Sequence, residues 1–304
     1  MRNIVIVTLF SILLVSLIAS SWKPAEEEGF EEQESATAPK KIAFCFLIYD
    51  SINHEELWKK FFENIDQNRY NIYIHYKENK RLKYFEKYKL PKCLETKWGE
   101  LSLVKASNLL FRTAYEADPQ NCKFILLSNS CIPLAPFNTV YQKLTKDNNG
   151  YLNAHEDLNN KKTKIYKKDP ELYGKCCQWV ILNRKMVKHT AFIDENELNM
   201  WFGDVYAPDE IYYYTTLKHK KMTDQLKIAD NSATEATTFA LWPGMKYPFE
   251  NRGDVQPKTF DYISMDELMY LYNQPCLFGR KFKTGCKVLV RGKHRKMEDV
   301  LEYH

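Results

Sequence analysis

The apolar positions of this chain fall into short continuous runs that alternate with segments of helical spacing. The runs at residues 42–49, 72–74 and 124–127 are free of charged side chains, which is typical of strands buried on both faces of a parallel sheet. Between them, residues 55–65 and 101–115 repeat apolar side chains every three or four positions, as an amphipathic helix does. This alternation predicts an α/β fold.

The second half of the chain continues the pattern with longer polar connections. Residues 145–172 are rich in Lys and Asn, and residues 231–260 are rich in Pro and Gly, so both predict long loops. No linker is recognisable within residues 41–304, which predicts a single domain of catalytic size. Apolar spacing predicts a further strand at 179–182, helices at 186–192, 195–201 and 265–272, and a last element at 277–282.

The first residues have the composition of a targeting segment. Residues 1–22 are almost wholly apolar after a short basic start and come close to the roughly 20 residues of a membrane-spanning helix. We therefore predict an uncleaved signal-anchor, followed by an acidic, flexible stem at residues 23–40. A cleaved signal peptide is the alternative, because Ala19 and Ser21 form a small-x-small pattern. Both alternatives send the rest of the chain into the secretory pathway.

Composition narrows the class of protein further. The net charge is +5, with lysines scattered among acids, and no basic helix or RNA motif accompanies it, so nucleic-acid binding is not expected. The eight cysteines include no C-x-x-C pair, which argues against a zinc ribbon. In an oxidising lumen we expect several of them to form disulfides, although the pairing cannot be read from the sequence.

One short segment has the chemistry of an active site. Asp209 and Glu210 directly follow Pro208, and a proline favours the first turn of a helix. The pattern predicts two acids fixed at the start of a helix, at the rim of a sheet where an α/β enzyme keeps its chemistry. The alternative is that both acids only cap the helix.

Six segments in order resemble the Core-2/I-branching family of glycosyltransferases. They are Trp98-Gly99 with Ser102, Val104 and Ala106; residues 124–134; Gln178-Trp179 with Asn183-Arg184; Pro208-Asp209-Glu210; Arg252-Gly253 with Pro257, Thr259 and Phe260; and Arg280-Lys281-Phe282. The resemblance implies a GT-A-like, Rossmann-type mixed sheet flanked by helices, and type II topology in a Golgi-like membrane. It also implies inverting transfer of a sugar from a nucleotide donor to a glycan or protein-linked acceptor. UDP-GlcNAc is the usual donor of the branching enzymes, and UDP-xylose or UDP-glucuronate serves relatives.

The family pattern assigns the central roles. Glu210 takes the place of the general base that removes the acceptor proton. The chain has no Asp-x-Asp motif, and the family replaces the metal with basic side chains, so we expect neither metal nor cofactor. Lys281 is the first candidate cation for the leaving diphosphate, and Lys258 or Arg252 is the second. A lysine cannot grip two oxygens as arginine does.

Further candidates lie at the predicted carboxyl ends of the strands, where a nucleotide binds in α/β folds. For the donor these are Asp50, His75 and Ser128, and His75 is equally well explained as a core histidine. For the acceptor they are Asp209, Asn129 and Trp179, although a core role explains Trp179 equally well. Two rival classes are an inactive, glycan-binding relative and a glycoside hydrolase. A hydrolase requires a second carboxylate across the cleft, and none is identifiable.

Overall fold

The computed structural model describes residues 39–155, 163–230, 237–249 and 256–302, and its centre is a mixed sheet. Three parallel strands form one side of that sheet, in the order β2-β1-β3. They are β1 (Lys41–Ile48), β2 (Tyr70–Tyr76) and β3 (Asn121–Ser128). Their side chains are mostly buried, as the uninterrupted apolar runs of β1 and β3 require.

The sheet changes direction beyond β3. The sheet order continues β7-β5-β6. Strand β7 is antiparallel to β3, and β5 is antiparallel to β7 and to β6. Strand β8 also pairs with β5, in parallel, outside this order. These strands are β5 (Gly150–His155), β6 (Lys175–Cys176), β7 (Ile181–Asn183) and β8 (Leu226–Asp230). The predicted strand at 179–182 is therefore β7, which begins two residues later than expected.

Helices cover both faces of the sheet. Alternation along β1 sends Phe44 and Phe46 into one apolar cluster and Ala43 and Cys45 into the other. The helices are α1 (Glu55–Phe61), α2 (Ser102–Ala117), α3 (Phe137–Thr145), α4 (Lys164–Lys168), α5 (Arg184–Ala191), α6 (Glu195–Phe202), α7 (Tyr212–His219) and α8 (Met265–Tyr272). The first cluster includes residues of α1 and α3, and the second includes residues of α2, α5 and α7. The predicted α/β class, a mixed sheet flanked by helices, is confirmed.

Two small sheets bring the last part of the chain to the carboxyl end of β3. One has the order β4-β11-β9 and the other β10-β12-β13. The Phe282 N–H donates to the Ser130 carbonyl at 3.0 Å, so the end of β11 lies beside the loop that follows β3. The strands are β4 (Ile132–Pro133), β9 (Thr238–Ala240), β10 (Phe260–Ser264), β11 (Phe278–Arg280), β12 (Phe282–Val290) and β13 (Lys293–Lys296).

Two predictions about the secretory pathway meet different outcomes. The predicted disulfides are not formed among the described residues, and Cys45, Cys131 and Cys176 are instead buried thiols in the core. The predicted anchor at residues 1–22 and the stem as far as residue 38 lie outside the described residues. None of the helices that the structure describes is both long and apolar enough to cross a membrane.

Candidate active site

The acid pair lies in a tight turn that immediately precedes a helix. Pro208–Glu210 forms a one-turn 3₁₀ helix with Pro208 at its start and both acids in its first turn, as predicted, and the α-helix α7 begins at Tyr212. Ala207 adopts a left-handed conformation, with φ of 49°, and its N–H donates to the Gly99 carbonyl at 3.2 Å. That bond ties the turn to the loop before α2.

Glu210 is the accessible member of the pair. Its side chain is 30% exposed, and its Oε2 lies 3.3 Å from the Nζ of Lys175 on β6. The Lys175 side chain is itself 22% exposed, so this ion pair is partly shielded from water and holds the carboxylate in one orientation. A second molecule can therefore reach Glu210 while Lys175 fixes its position.

Asp209 is buried beside it. The residue is 7% exposed, and its Oδ1 has no hydrogen-bond partner among the described residues. Burial, followed by the charge of Glu210, raises the pKa of Asp209 to about 7, while Lys175 and Arg280 act in the opposite direction. Below neutral pH this carboxyl is therefore mostly protonated, and its burial leaves little surface for the acceptor contact predicted from the sequence.

Asp209→Asn is expected to change how stability depends on pH. A carboxyl whose pKa is raised by folding binds more protons in the folded state, so its contribution to stability is largest near pH 4 and is lost as pH rises to 7. The neutral asparagine does not titrate, so it does not lose stability in this way as pH rises. Relative to the wild type, the variant should gain on the order of 4 kcal/mol in free energy of unfolding between pH 4 and pH 8. Urea unfolding across this range measures the difference, and a difference that does not change with pH would contradict the assignment.

Arg280 is a cation within electrostatic range of the acid pair. It ends β11, and its guanidinium lies 4.3 Å from the centre of the Trp179 ring. Its Nε is buried and has no hydrogen-bond partner among the described residues. Burial lowers the pKa of Arg280, and the charges of Cys131, Cys177, Glu210 and Asp209 oppose that shift. The guanidinium therefore lies within electrostatic reach of both acids and still has an unused donor.

Arg280 was not predicted as a site residue, although its position in the sequence favours such a role. It is one of two adjacent cations between Phe278 and Phe282, and a charged side chain among buried apolar residues requires a partner or a function. We predicted Lys281 as the cation instead. Lys281 is half-buried, and burial followed by the charge of Arg280 lowers its pKa. Lys281 and Glu210 thus both lie near Arg280.

Lys258 is occupied elsewhere. Its ammonium forms an ion pair with Glu267 at 2.9 Å and lies 4.9 Å from the centre of the Phe260 ring. Both side chains are mostly buried, at 26% and 11% exposure, so Lys258 stabilises the start of α8 in this structure. The other candidate for the second cation, Arg252, lies outside the described residues.

Two of the predicted donor-binding residues lie at the carboxyl ends of strands. Asp50 follows β1 and pairs with Lys80, whose hydrogen bond holds the pKa of Asp50 below its usual value. Ser128 ends β3 with its hydroxyl 3.1 Å from that of Ser130. His75 is completely buried, accepts a hydrogen bond from the Leu94 N–H, and has its pKa lowered to about 4 by burial. It has no surface for a ligand, which fits the core alternative.

The acceptor candidates also differ in accessibility. Asn129 is partly exposed, and its side-chain amide donates to Asn53 at 3.2 Å. Trp179 is 8% exposed, and Arg280 covers a face of its indole, so it supports the cation and offers no platform to a sugar. Exposed aromatic rings occur instead at Trp98 and Tyr206, which meet edge to face at 6.0 Å beside the acid turn.

Metal ligands are not concentrated anywhere in the described part of the chain. No group of three or more His, Cys, Asp or Glu side chains there could hold a metal ion. The site instead combines two acids with Lys175 and Arg280, and Lys281 follows Arg280 in the chain. Such a site can accept a proton at one carboxylate and stabilise negative charge beside it.

The mixed sheet and its flanking helices define the chain as an α/β protein, and two acids lie near Lys175 and Arg280 within it. A family model described as Core-2/I-branching enzyme matches residues 42–269, which is well over half of the chain. The chain therefore belongs to the Core-2/I-branching enzyme family, and the resemblance predicted from the sequence is confirmed. Arg280, Lys281 and the strands β11 to β13 lie beyond the matched region.

Individual relatives are more distant. The chain is 26% identical to "Glycosyltransferase BC10" of Oryza sativa subsp. japonica over 184 residues, which cover 55% of this chain and 44% of that protein. The match therefore spans less than half of the relative's length.

Solved structures are similar in outline. One is a glycosyltransferase involved in glycosylation of the major capsid of PBCV-1, at 12% identity and a TM-score of 0.39, covering 79% of this chain and 92% of that one. Another is the galactosyltransferase LgtC with donor and acceptor sugar analogues, at 11% identity and a TM-score of 0.36, covering 64% of this chain and 75% of that one.

Proposed function

We propose that the chain is an inverting, metal-independent glycosyltransferase that uses Glu210 as its general base. Its preferred donor is UDP-GlcNAc, and its acceptor is a hydroxyl of a glycan or of a protein-linked sugar. The supporting observation is the partly exposed Glu210 carboxylate beside Lys175, with the Arg280 guanidinium in electrostatic reach. Membership of the family supports sugar transfer as the type of reaction, and these residues support the proposed mechanism.

The acceptor side of the reaction depends on Glu210. Its carboxylate takes the proton of the acceptor hydroxyl while the acceptor oxygen bonds to the anomeric carbon of the donor. The bond from that carbon to the diphosphate breaks on the opposite face, so the configuration inverts. Lys175 holds the carboxylate in its orientation for this step through its 3.3 Å contact.

The donor side depends on fixed positive charge. The leaving diphosphate develops charge as its bond to the sugar breaks, and preorganised cations stabilise that charge without reorganising. Arg280 offers a planar fork of donors backed by Trp179, and Lys281 adds a half-buried ammonium next to it. We assign the leaving-group role to this pair, since Lys258 is engaged with Glu267.

Lys175→Met is expected to lower kcat by about 10- to 100-fold with little change in the KM for the donor, because it removes a group that orients the base and does not touch the donor. Lys175→Arg keeps the positive charge and should recover most of the rate. Steady-state kinetics of both variants check this. A Met variant in which only the donor KM rises would show that Lys175 belongs to the donor site.

A donor screen tests the reaction class itself. The purified protein is offered UDP-GlcNAc, UDP-xylose and UDP-glucuronate, with and without acceptor glycans, in the presence of EDTA. We expect acceptor-dependent transfer with UDP-GlcNAc the best donor. Transfer only from UDP-xylose or UDP-glucuronate would change the proposed donor sugar and leave the proposed type of reaction unchanged. Glycan binding with no turnover of any donor would identify an inactive, glycan-binding relative.

The cellular setting forms part of the same proposal. We place the catalytic part, residues 41–304, on the lumenal side of a Golgi or secretory-pathway membrane, with residues 1–22 as a type II anchor and 23–40 as its stem. The support is the apolar composition of residues 1–22 and the acidic, polar composition of the stem. Protease protection of the catalytic part in intact vesicles tests this topology.

A further inference from the structure

The hairpin of β12 and β13 concentrates the positive charge of the molecule. Residues 282–296 contain six Lys or Arg residues and no acid, whereas the whole chain has a net charge of only +5. The rest of the chain is therefore close to neutral. The six cations are Lys283, Lys287, Arg291, Lys293, Arg295 and Lys296.

These cations are exposed, and two of them face each other across the ladder. All four residues of β13 are exposed, and Lys287 lies directly opposite Lys296 across the ladder. Like charges in such a pair destabilise a sheet. Lys283 pairs with Asp261, and Lys296 lies 3.9 Å from Glu298. Among the described residues the other four cations of the hairpin have no acidic partner, so they are available to an external anion.

An aromatic ring lies next to the cations. Tyr262 of β10 pairs with Lys287 of β12, is 60% exposed, and meets the His294 ring at 6.1 Å. It is the one large apolar side chain exposed on the three strands of this sheet as described. A flat ring among cations suits a ligand that carries both sugar rings and negative groups.

The hairpin starts at the candidate active site. Phe282, its first residue, directly follows Arg280 and Lys281 and donates to the Ser130 carbonyl at 3.0 Å. The nine residues of β12 extend the surface about 30 Å from that point. A long ligand with its reacting end near Glu210 can therefore continue along the hairpin.

We propose that this hairpin binds an anionic polysaccharide, a glycan bearing sulfate or carboxylate groups, and that such a glycan is the acceptor class. This inference rests on the proposed glycosyltransferase function. A membrane surface is a poorer fit, because bilayer binding favours several protruding apolar side chains and this sheet exposes only Tyr262. Lysines on an edge strand can also serve simply to prevent strand pairing, and that role requires no ligand.

The test measures binding of the full-length protein to heparin, as a sulfated polysaccharide, and to neutral dextran at near-physiological salt. We expect binding to heparin alone. The variant Lys287→Gln/Lys293→Gln/Arg295→Gln/Lys296→Gln should lose at least 10-fold in heparin affinity. The matched control changes the exposed Lys185, Lys188, Lys220 and Lys227 to Gln and should stay within about 2-fold, because the electrostatic contribution of each cation is local at this salt.

A second variant separates a glycan site from a merely charged edge. Tyr262→Ala leaves the charge unchanged, so it should weaken heparin binding only if the ring contacts sugar. Equal losses in the two charge variants, or an unchanged affinity in Tyr262→Ala, would overturn the proposal. So would tighter binding to phosphatidylserine vesicles or to single-stranded RNA than to heparin.

Kinetic measurements distinguish a failure of this acceptor proposal from a failure of the proposed glycosyltransferase function. With a short neutral acceptor, the hairpin variant should retain the wild-type kcat, because none of its four changed residues lies in the candidate active site. With a long sulfated acceptor, its KM should rise about 10-fold. Transfer to both acceptors with no such rise would overturn the acceptor assignment alone, whereas no transfer at all would contradict the glycosyltransferase proposal.

Discussion

Glu210→Gln is expected to abolish sugar transfer while UDP binding is retained. The amide has nearly the same shape as the carboxylate but cannot accept the acceptor proton, and a general base contributes about 10²- to 10⁴-fold to a rate. The fall should appear in kcat, since we assign the donor phosphates to Arg280 and Lys281 and not to Glu210. Product formation and UDP titration by calorimetry measure the two quantities separately.

The control for Glu210 is an acid that is exposed and remote. Glu116→Gln on α2 makes the same chemical change at an exposed position and should leave the rate unchanged. Substantial turnover by the Glu210 variant would mean that another group removes the proton. Asp209 would then be the first group to examine, because its pKa of about 7 also suits proton transfer near neutral pH.

Arg280→Gln is expected to lower kcat/KM for the donor on the order of 10²- to 10³-fold, as the loss of one preorganised donor to a developing oxyanion does. The variant keeps the hydrogen-bonding capacity and approximate length of the side chain but loses its charge. Its UDP affinity should fall as well, which distinguishes it from the Glu210 variant. Added manganese should not restore the rate if Arg280, and not a bound ion, supplies the charge for the leaving diphosphate.

Two further variants keep this prediction informative if Arg280→Gln folds poorly. Arg280→Lys retains the charge but loses the planar fork and its stacking on Trp179, so we expect an intermediate rate. Arg81→Gln, at an exposed position, controls for the general loss of one positive charge. Wild-type donor kinetics in a folded Arg280→Gln protein would remove Arg280 from the leaving-group role.

The fold could be predicted where burial imposes a periodic pattern. The apolar run of β1 and the helical spacing of α8 gave elements close to those observed, Lys41–Ile48 and Met265–Tyr272. The uninterrupted apolar character of β1 and β3 also predicted the parallel part of the sheet, because both faces of those strands are covered. The start of β7 was less accurate, because Trp179 and Val180 are also buried and extend the apolar run beyond the strand.

The site could be predicted only in part, because its charges come from distant parts of the chain. Glu210 stood out through its local motif, but its partner Lys175 lies 35 positions earlier and has no distinctive sequence context. Lys258 was selected by alignment with the family, although a nearby glutamate, Glu267, holds it in the structure. Local spacing shows which residue types are present, whereas ion pairing depends on how the strands assemble.

The most direct test of the central claim is the rate of sugar transfer after all divalent metal has been removed. The protein is dialysed against EDTA and assayed with its best UDP-sugar and an acceptor, with and without added manganese. If Arg280 and Lys281 supply the positive charge for the leaving diphosphate, the rate should be the same in both assays. A rate that disappears with EDTA and returns with manganese would show that a bound ion performs that role.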